Sequence, residues 1–176
     1  NDFNTILLPV RTGDFTLHLV IADGSVFDPP GKEGTALLTG YLLARLLETK
    51  IEELWTGQPE SAARPAVAVS AGHDGIHFTV TGPSAALPAV GQCLAETLVQ
   101  PDFQMDIFQK VKDRVALEDL RVEDQPEIVA LQEWLHQVFA PFPYAATPAG
   151  TTEPNRNVFV PPVPLKVKLA GPVAVL

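Results

Sequence analysis

From Phe15 to Ala22 the chain alternates, with Phe15, Leu17, Leu19 and Ile21 on one side and Thr16, His18 and Val20 on the other. A period of two marks a half-buried strand. Residues 3–10 (F-N-T-I-L-L-P-V) form a similar run, and Arg11-Thr12-Gly13-Asp14 between the two has the composition of a hairpin turn. The period then changes. Beyond Lys32, Leu38, Leu42 and Leu46 recur in steps of four with Leu43 and Leu47 beside them, which predicts a helix reaching about Leu54. Asp28-Pro29-Pro30-Gly31 makes a tight turn before that helix, and Gly57-Gln58-Pro59 ends it.

Two more strands follow, over 66–71 and 76–81, around the turn Gly72-His73-Asp74-Gly75. Three helices come next. The first, over 85–99, has a stripe of Leu87, Val90, Leu94 and Leu98. The second, over 105–122, buries Ile107, Phe108, Val111, Val115 and Leu120 and turns its charges to solvent. The third, over 126–139, starts on a first-turn proline and takes its bulk from Trp134, Leu135 and Val138. Past Pro141-Phe142-Pro143-Tyr144 the chain is rich in proline and glycine. There Leu165, Val167 and Leu169 alternate with Lys166 and Lys168 in the pattern of an edge strand, and 173–176 reads as another. The order β-β-α-β-β-α-α-α-β predicts an α+β fold, an antiparallel sheet with helices packed mainly on one face. One domain over 1–151 is expected, followed by a proline-rich segment over 152–176 that supplies closing strands.

Composition narrows the function classes. The 176 residues are 46% apolar and 19% charged, as in an ordinary globular protein. A formal charge of −9 and the lack of a basic patch exclude a nucleic-acid backbone binder. No apolar run is long enough to predict a membrane span, and Asn1-Asp2-Phe3 does not resemble a signal peptide. Cys93, the single cysteine, excludes an internal disulfide or a cysteine metal site and reads as a small buried hydrophobe among Val90, Leu94 and Leu98.

Histidine chemistry is equally sparse. His18 falls on the face of its strand opposite Phe15. His73 and His77 form H-x-x-x-H, which would share a face only on a helix, and Gly72 and Gly75 place His73 in a turn instead. Ser70, His73 and Asp74 are the residue types of a hydrolase triad, but one hairpin crowds all three.

Three stretches in fixed order carry a resemblance. They are Gly24-Ser25 with Asp28-Pro29-Pro30-Gly31-Lys32-Glu33-Gly34 and Ala36; Gln100-Pro101-Asp102-Phe103 followed by Lys112 and Arg114; and Pro143-Tyr144 with Pro148-Ala149-Gly150-Thr151. Together they resemble the zinc-insulinase superfamily of pitrilysin-like and mitochondrial-processing-peptidase-like proteins. The resemblance implies an inverted zinc motif, H-x-x-E-H, on the first helix, with two histidine ligands and a glutamate base. With Gly34 and Ala36 as anchors, those positions hold Leu37, Gly40 and Tyr41, and the distal carboxylate ligand falls at Asp119.

Leucine and glycine offer no ligand atom, and tyrosine is a poor one near neutral pH. No histidine lies between His18 and His73 to restore the motif. The resemblance therefore implies a non-catalytic homologue with no cofactor of its own. Its partner would be a homologous zinc-bearing peptidase subunit in a heterodimer, and its substrate a peptide or unfolded protein. The same resemblance covers structural core-type subunits of larger assemblies. It also implies an extracytoplasmic site, and a helix after Thr151 that N-R-N-V-F-V-P-P-V-P does not supply. Arg156, Lys166 and Lys168 read as ordinary exposed cations.

Overall fold

The strand pattern that opens the chain is strand β1 (Asp14–Ile21) of the computed structural model, which describes residues 6, 8, 13–59, 62–123 and 125–149 apart from the side chains of 116–123. After β1 come a 3-10 turn (Ser25–Phe27), helix α1 (Thr35–Trp55), strands β2 (Ala66–Ala71) and β3 (Ile76–Pro83), and a second 3-10 turn (Ser84–Ala86). Helices α2 (Leu87–Val99), α3 (Met105–Glu123) and α4 (Pro126–Phe139) follow, then a third 3-10 turn (Pro143–Ala145). The sheet order is β1-β3-β2, with both outer strands antiparallel to β3. β1 and β2 therefore run parallel, joined through α1, with β3 inserted between them as in a split βαβ unit. The α+β class and the antiparallel sheet expected from the pattern are those observed.

Alternation decides which face of the sheet is covered. Phe15, Ile76, Phe78 and Val80 are buried, and Leu17, Leu19, Ile21, Val67 and Val69 pack against them, while Thr16, His18, Ser70 and His77 face outward. α1 supplies Leu43, Leu47 and Ile51, and α2 supplies Val90, Cys93, Leu94 and Leu98, to the same core. Each fully buried aliphatic or aromatic side chain contributes about 1.5–3 kcal/mol, so the sheet, α1 and α2 hold most of the fold. Thr97, polar and buried, donates its hydroxyl to the Cys93 carbonyl at 2.8 Å and leaves no unmet group.

Four expectations need correction. In α3 only Val111 is buried among the described side chains, and Ile107, Phe108 and Val115 are half-buried because the helix packs on α1 along a narrow strip. α1 begins at Thr35, three residues late, because the stretch before it is a capping loop (below). In α2, Ser84–Ala86 is a 3-10 turn and Leu87 is exposed, so the buried stripe starts at Val90. In α4, Trp134 and Val138 are 57% and 52% exposed, and the helix buries no residue at all. Its apolar face is periodic, but only its Ile128, Leu135 and Phe139 side is half-covered. The strand expected over 3–10, apart from positions 6 and 8, and all of 152–176 lie outside the described residues, as does the Leu120 side chain.

Candidate functional site

The loop before α1 builds the helix start from a distance. Asp28 sits six residues ahead of Gly34, yet its carboxylate accepts the Gly34 N–H at 2.7 Å and the Ala36 N–H at 2.9 Å. A helix start leaves its first amides without partners, and an acceptor there also meets the positive end of the helix dipole. The chain can fold back in this way because Gly34, at the helix entrance, adopts φ 91°, a left-handed conformation that favours glycine. The Thr35 hydroxyl donates to the Lys32 carbonyl at 2.6 Å and closes the loop.

Burial lifts the Asp28 carboxyl above its ordinary value of 3.8, against the pull of the Ala36, Gly34 and Thr35 amides. The folded chain thus keeps this proton to higher pH than the unfolded chain. The group's contribution to stability is full below the ordinary value and is lost as pH rises through the raised one. Two outcomes follow for urea unfolding. Asp28→Ala should cost about 1–2 kcal/mol, the worth of a strong cap. The stability difference between wild type and Asp28→Asn should fall with rising pH across the carboxylate range, and a rise would contradict the burial.

Held by this loop, α1 presents Leu37, Gly40 and Tyr41 at spacings that share one helix side. Leu37 is half-buried. Gly40 is buried where α1 meets the sheet, and a Cβ added there would lie 2.8 Å from the Ile76 Cγ2 and 3.4 Å from the Val69 Cγ2. The Tyr41 ring lies under the Arg114 guanidinium of α3, 5.8 Å from carbon to ring centre. Asp119 is on α3, but its side chain lies outside the described residues. The structure thus brings Tyr41 to the edge of a cleft and buries Gly40 against the sheet, and no ligand set is assembled among the described residues. A zinc ion does not fit these residues. An aliphatic chain, a glycine pressed on the sheet and a ring stacked on a cation offer no imidazole or carboxylate, and Arg114 would repel a metal cation.

The cleft itself has a volume of roughly 670 Å³ and runs between α1, α3 and β2. Val67, Ala68 and Val69 of β2 form one wall, Ile107 and Val111 of α3 another, and Tyr41 and Ala44 of α1 the third. Charges of both signs rim it. Arg45 pairs with Glu48 at 3.1 Å and Lys110 with Asp106 at 3.5 Å, all at exposed positions where such pairs contribute about 0–1 kcal/mol. Arg64 bonds Glu52 at 2.7 Å and is the main cause holding that carboxyl below its ordinary value. The cleft thus pairs an apolar wall from β2 with charged side chains at its rim.

Elsewhere the outward residues engage other partners. His73 is in the hairpin turn and His77 on the open sheet face, as their spacing implied, and the His18 Nδ1 lies 3.1 Å from the Thr79 hydroxyl. His73 bonds the Ala146 carbonyl and Asp74 accepts the Tyr144 hydroxyl, so the Ser70, His73 and Asp74 set is not a triad. Cys93 is buried, as expected, and burial pushes its thiol up. No described helix is long and apolar enough to cross a membrane. Reading the sequence missed Asp28, Arg114 and Tyr144 as structural partners, although the spacing from Asp28 to Gly34 carried a signal for the first.

No family model and no curated protein matches the chain. Solved structures do. A protease from Helicobacter pylori superposes with a TM-score of 0.68 at 19% identity, over 86% of this chain and 37% of that one. A peptidase M16 inactive domain from Pseudomonas fluorescens gives 0.69 at 20% identity, over 89% and 37%. A chain of complex III2 from Candida albicans gives 0.55 at 15% identity, over 84% and 33%. The chain spans a little over one third of the length of the first two, and at these identities the likeness is one of fold. The chain thus shares its fold with that peptidase M16 inactive domain and with the Helicobacter pylori protease.

Proposed function

We propose that this chain is a non-catalytic, zinc-insulinase-like subunit that pairs with an active zinc metallopeptidase and contributes a wall of the peptide-binding chamber. The observation that carries the reading is the packing of α1. Position 40, where the resemblance puts the general base, is a glycine pressed against Ile76 and Val69, and its neighbour Tyr41 is stacked under Arg114. What remains is a cleft with a strand edge. Among the described residues β2 is an outer strand, so its unpaired backbone groups can add a peptide as a further strand beside α3. An inactive domain among the similar structures supports the same reading. Zinc belongs, on this proposal, to the partner.

The test has two parts. Purified alone, the chain should carry no stoichiometric zinc and should not cleave unstructured peptides, and stoichiometric zinc together with cleavage would sink the proposal. Captured from its native source, it should bring down a homologue bearing H-x-x-E-H with one zinc per pair. A fluorescent unstructured peptide should bind the pair, and Tyr41→Ala should weaken that binding by about tenfold, the scale of losing one aromatic anchor. Unchanged affinity would place the peptide elsewhere. The likeness to a chain of complex III2 favours a second reading, a structural subunit of a larger assembly. A native particle of many subunits, rather than two, selects it.

A further inference from the structure

The turn between β2 and β3 is gripped from two sides. On one side it is locked to the β1–α1 junction by backbone alone. Gly72 N–H closes the turn on the Gly75 carbonyl at 2.9 Å, and the Ser25 and Val26 N–H groups donate to the Gly72 and His73 carbonyls at 3.1 and 3.2 Å. On the other side the grip is made by side chains. The Tyr144 hydroxyl donates to the Asp74 carboxylate, which raises the hydroxyl's hold on its proton, and the His73 Nε2–H donates to the Ala146 carbonyl at 2.9 Å. The Tyr144 ring lies 5.3 Å from the His73 ring and 6.1 Å from that of Phe139, the last residue of α4.

The layer gripped in this second way is lightly held elsewhere. Apart from Val111, every buried apolar side chain among the described residues precedes position 100, in the sheet, α1, α2 and the turn between β3 and α2. α4 buries nothing. Elements with little buried surface open at free energies well below that of global unfolding. We propose that Tyr144, with Asp74 and His73, is a clasp that fixes α4, and through α4 the α3 wall of the cleft, so that its release widens the cleft while the sheet and α1 stay folded. The consequence for peptide binding rests on the reading above, but the opening itself does not.

Amide hydrogen exchange on the full chain tests the opening without any peptide. Tyr144→Phe keeps both ring contacts and removes only the hydroxyl, and Asp74→Ala removes the acceptor. Each should speed exchange in α3 and α4 by roughly fivefold, the worth of one hydrogen bond, with β3 and the middle of α1 unchanged. In a Cys93→Ala background, spin labels at Glu53→Cys and Asp113→Cys should report a longer and broader α1-to-α3 distance when Tyr144→Phe is added. Unchanged exchange in α4 overturns the clasp, and so does equal acceleration in β3, which would be global destabilisation. Acceleration confined to α4, with α3 and the label distance unmoved, overturns the link to the cleft.

Discussion

Replacing Gly24 by alanine should destabilise the fold by about 3 kcal/mol or more, a large loss for a single methyl group. A Cβ at position 24 would fall well under 3.0 Å from the His73 carbonyl oxygen and the Gly75 nitrogen. Both are backbone atoms of a tight turn, so neither can rotate aside as a side-chain tip would. The two segments touch at a second point as well, since a Cβ built at Gly75 would lie 2.6 Å from the Ile21 carbonyl oxygen. Separating the two segments would also stretch the Ser25 and Val26 hydrogen bonds, each worth about 1 kcal/mol. Urea unfolding should therefore show a sharply lowered midpoint. A loss below about 1 kcal/mol would mean that the junction and the hairpin are not interlocked. As a contrast, alanine at Gly91, where nothing lies within 4 Å, should be neutral or stabilising, since alanine favours a helix over glycine by about 1 kcal/mol.

This interlock shows where the sequence was legible and where it was not. Periodicity sufficed for β1, β2 and α1, because each puts one apolar face on a common core and the period alone names that face. The Asp-Gly turn at 74–75 was legible for the same local reason. Contacts across long separations were not. Nothing in the order of residues says that Tyr144 reaches Asp74, 70 positions earlier, or that Ile76 sits under Gly40. The pattern also overstated α4. Its apolar residues have helical spacing, but spacing cannot say whether a second layer exists to cover Trp134 and Val138. For the candidate site, the sequence located α1, with Leu37, Gly40 and Tyr41 on it. The physical reason why Gly40 is tolerated became visible only in its distance to the sheet.

On the proposed reading, that distance makes the lack of a base at position 40 a matter of packing as well as identity. Gly40→Ala gains about 1 kcal/mol of helix propensity but places its methyl 2.8 Å from the Ile76 Cγ2. That methyl is a branch on Cβ rather than a flexible tip, and Ile76 is only 2% exposed, so overpacking of about 1–3 kcal/mol should win. The net should be a modest loss. Gly40→Glu must bury three more heavy-atom shells and a carboxylate against Ile76 and Val69, which should bring the loss above about 3 kcal/mol. A double-mutant cycle separates the packing from the charge. Ile76→Ala alone leaves a cavity and should cost about 2–5 kcal/mol. Combined with Gly40→Ala, the new methyl partly fills that cavity, so the pair should cost less than the sum by about 1 kcal/mol. Strict additivity would show that α1 can lift off the sheet at this point. The helix could then accept a glutamate at position 40 without repacking the sheet.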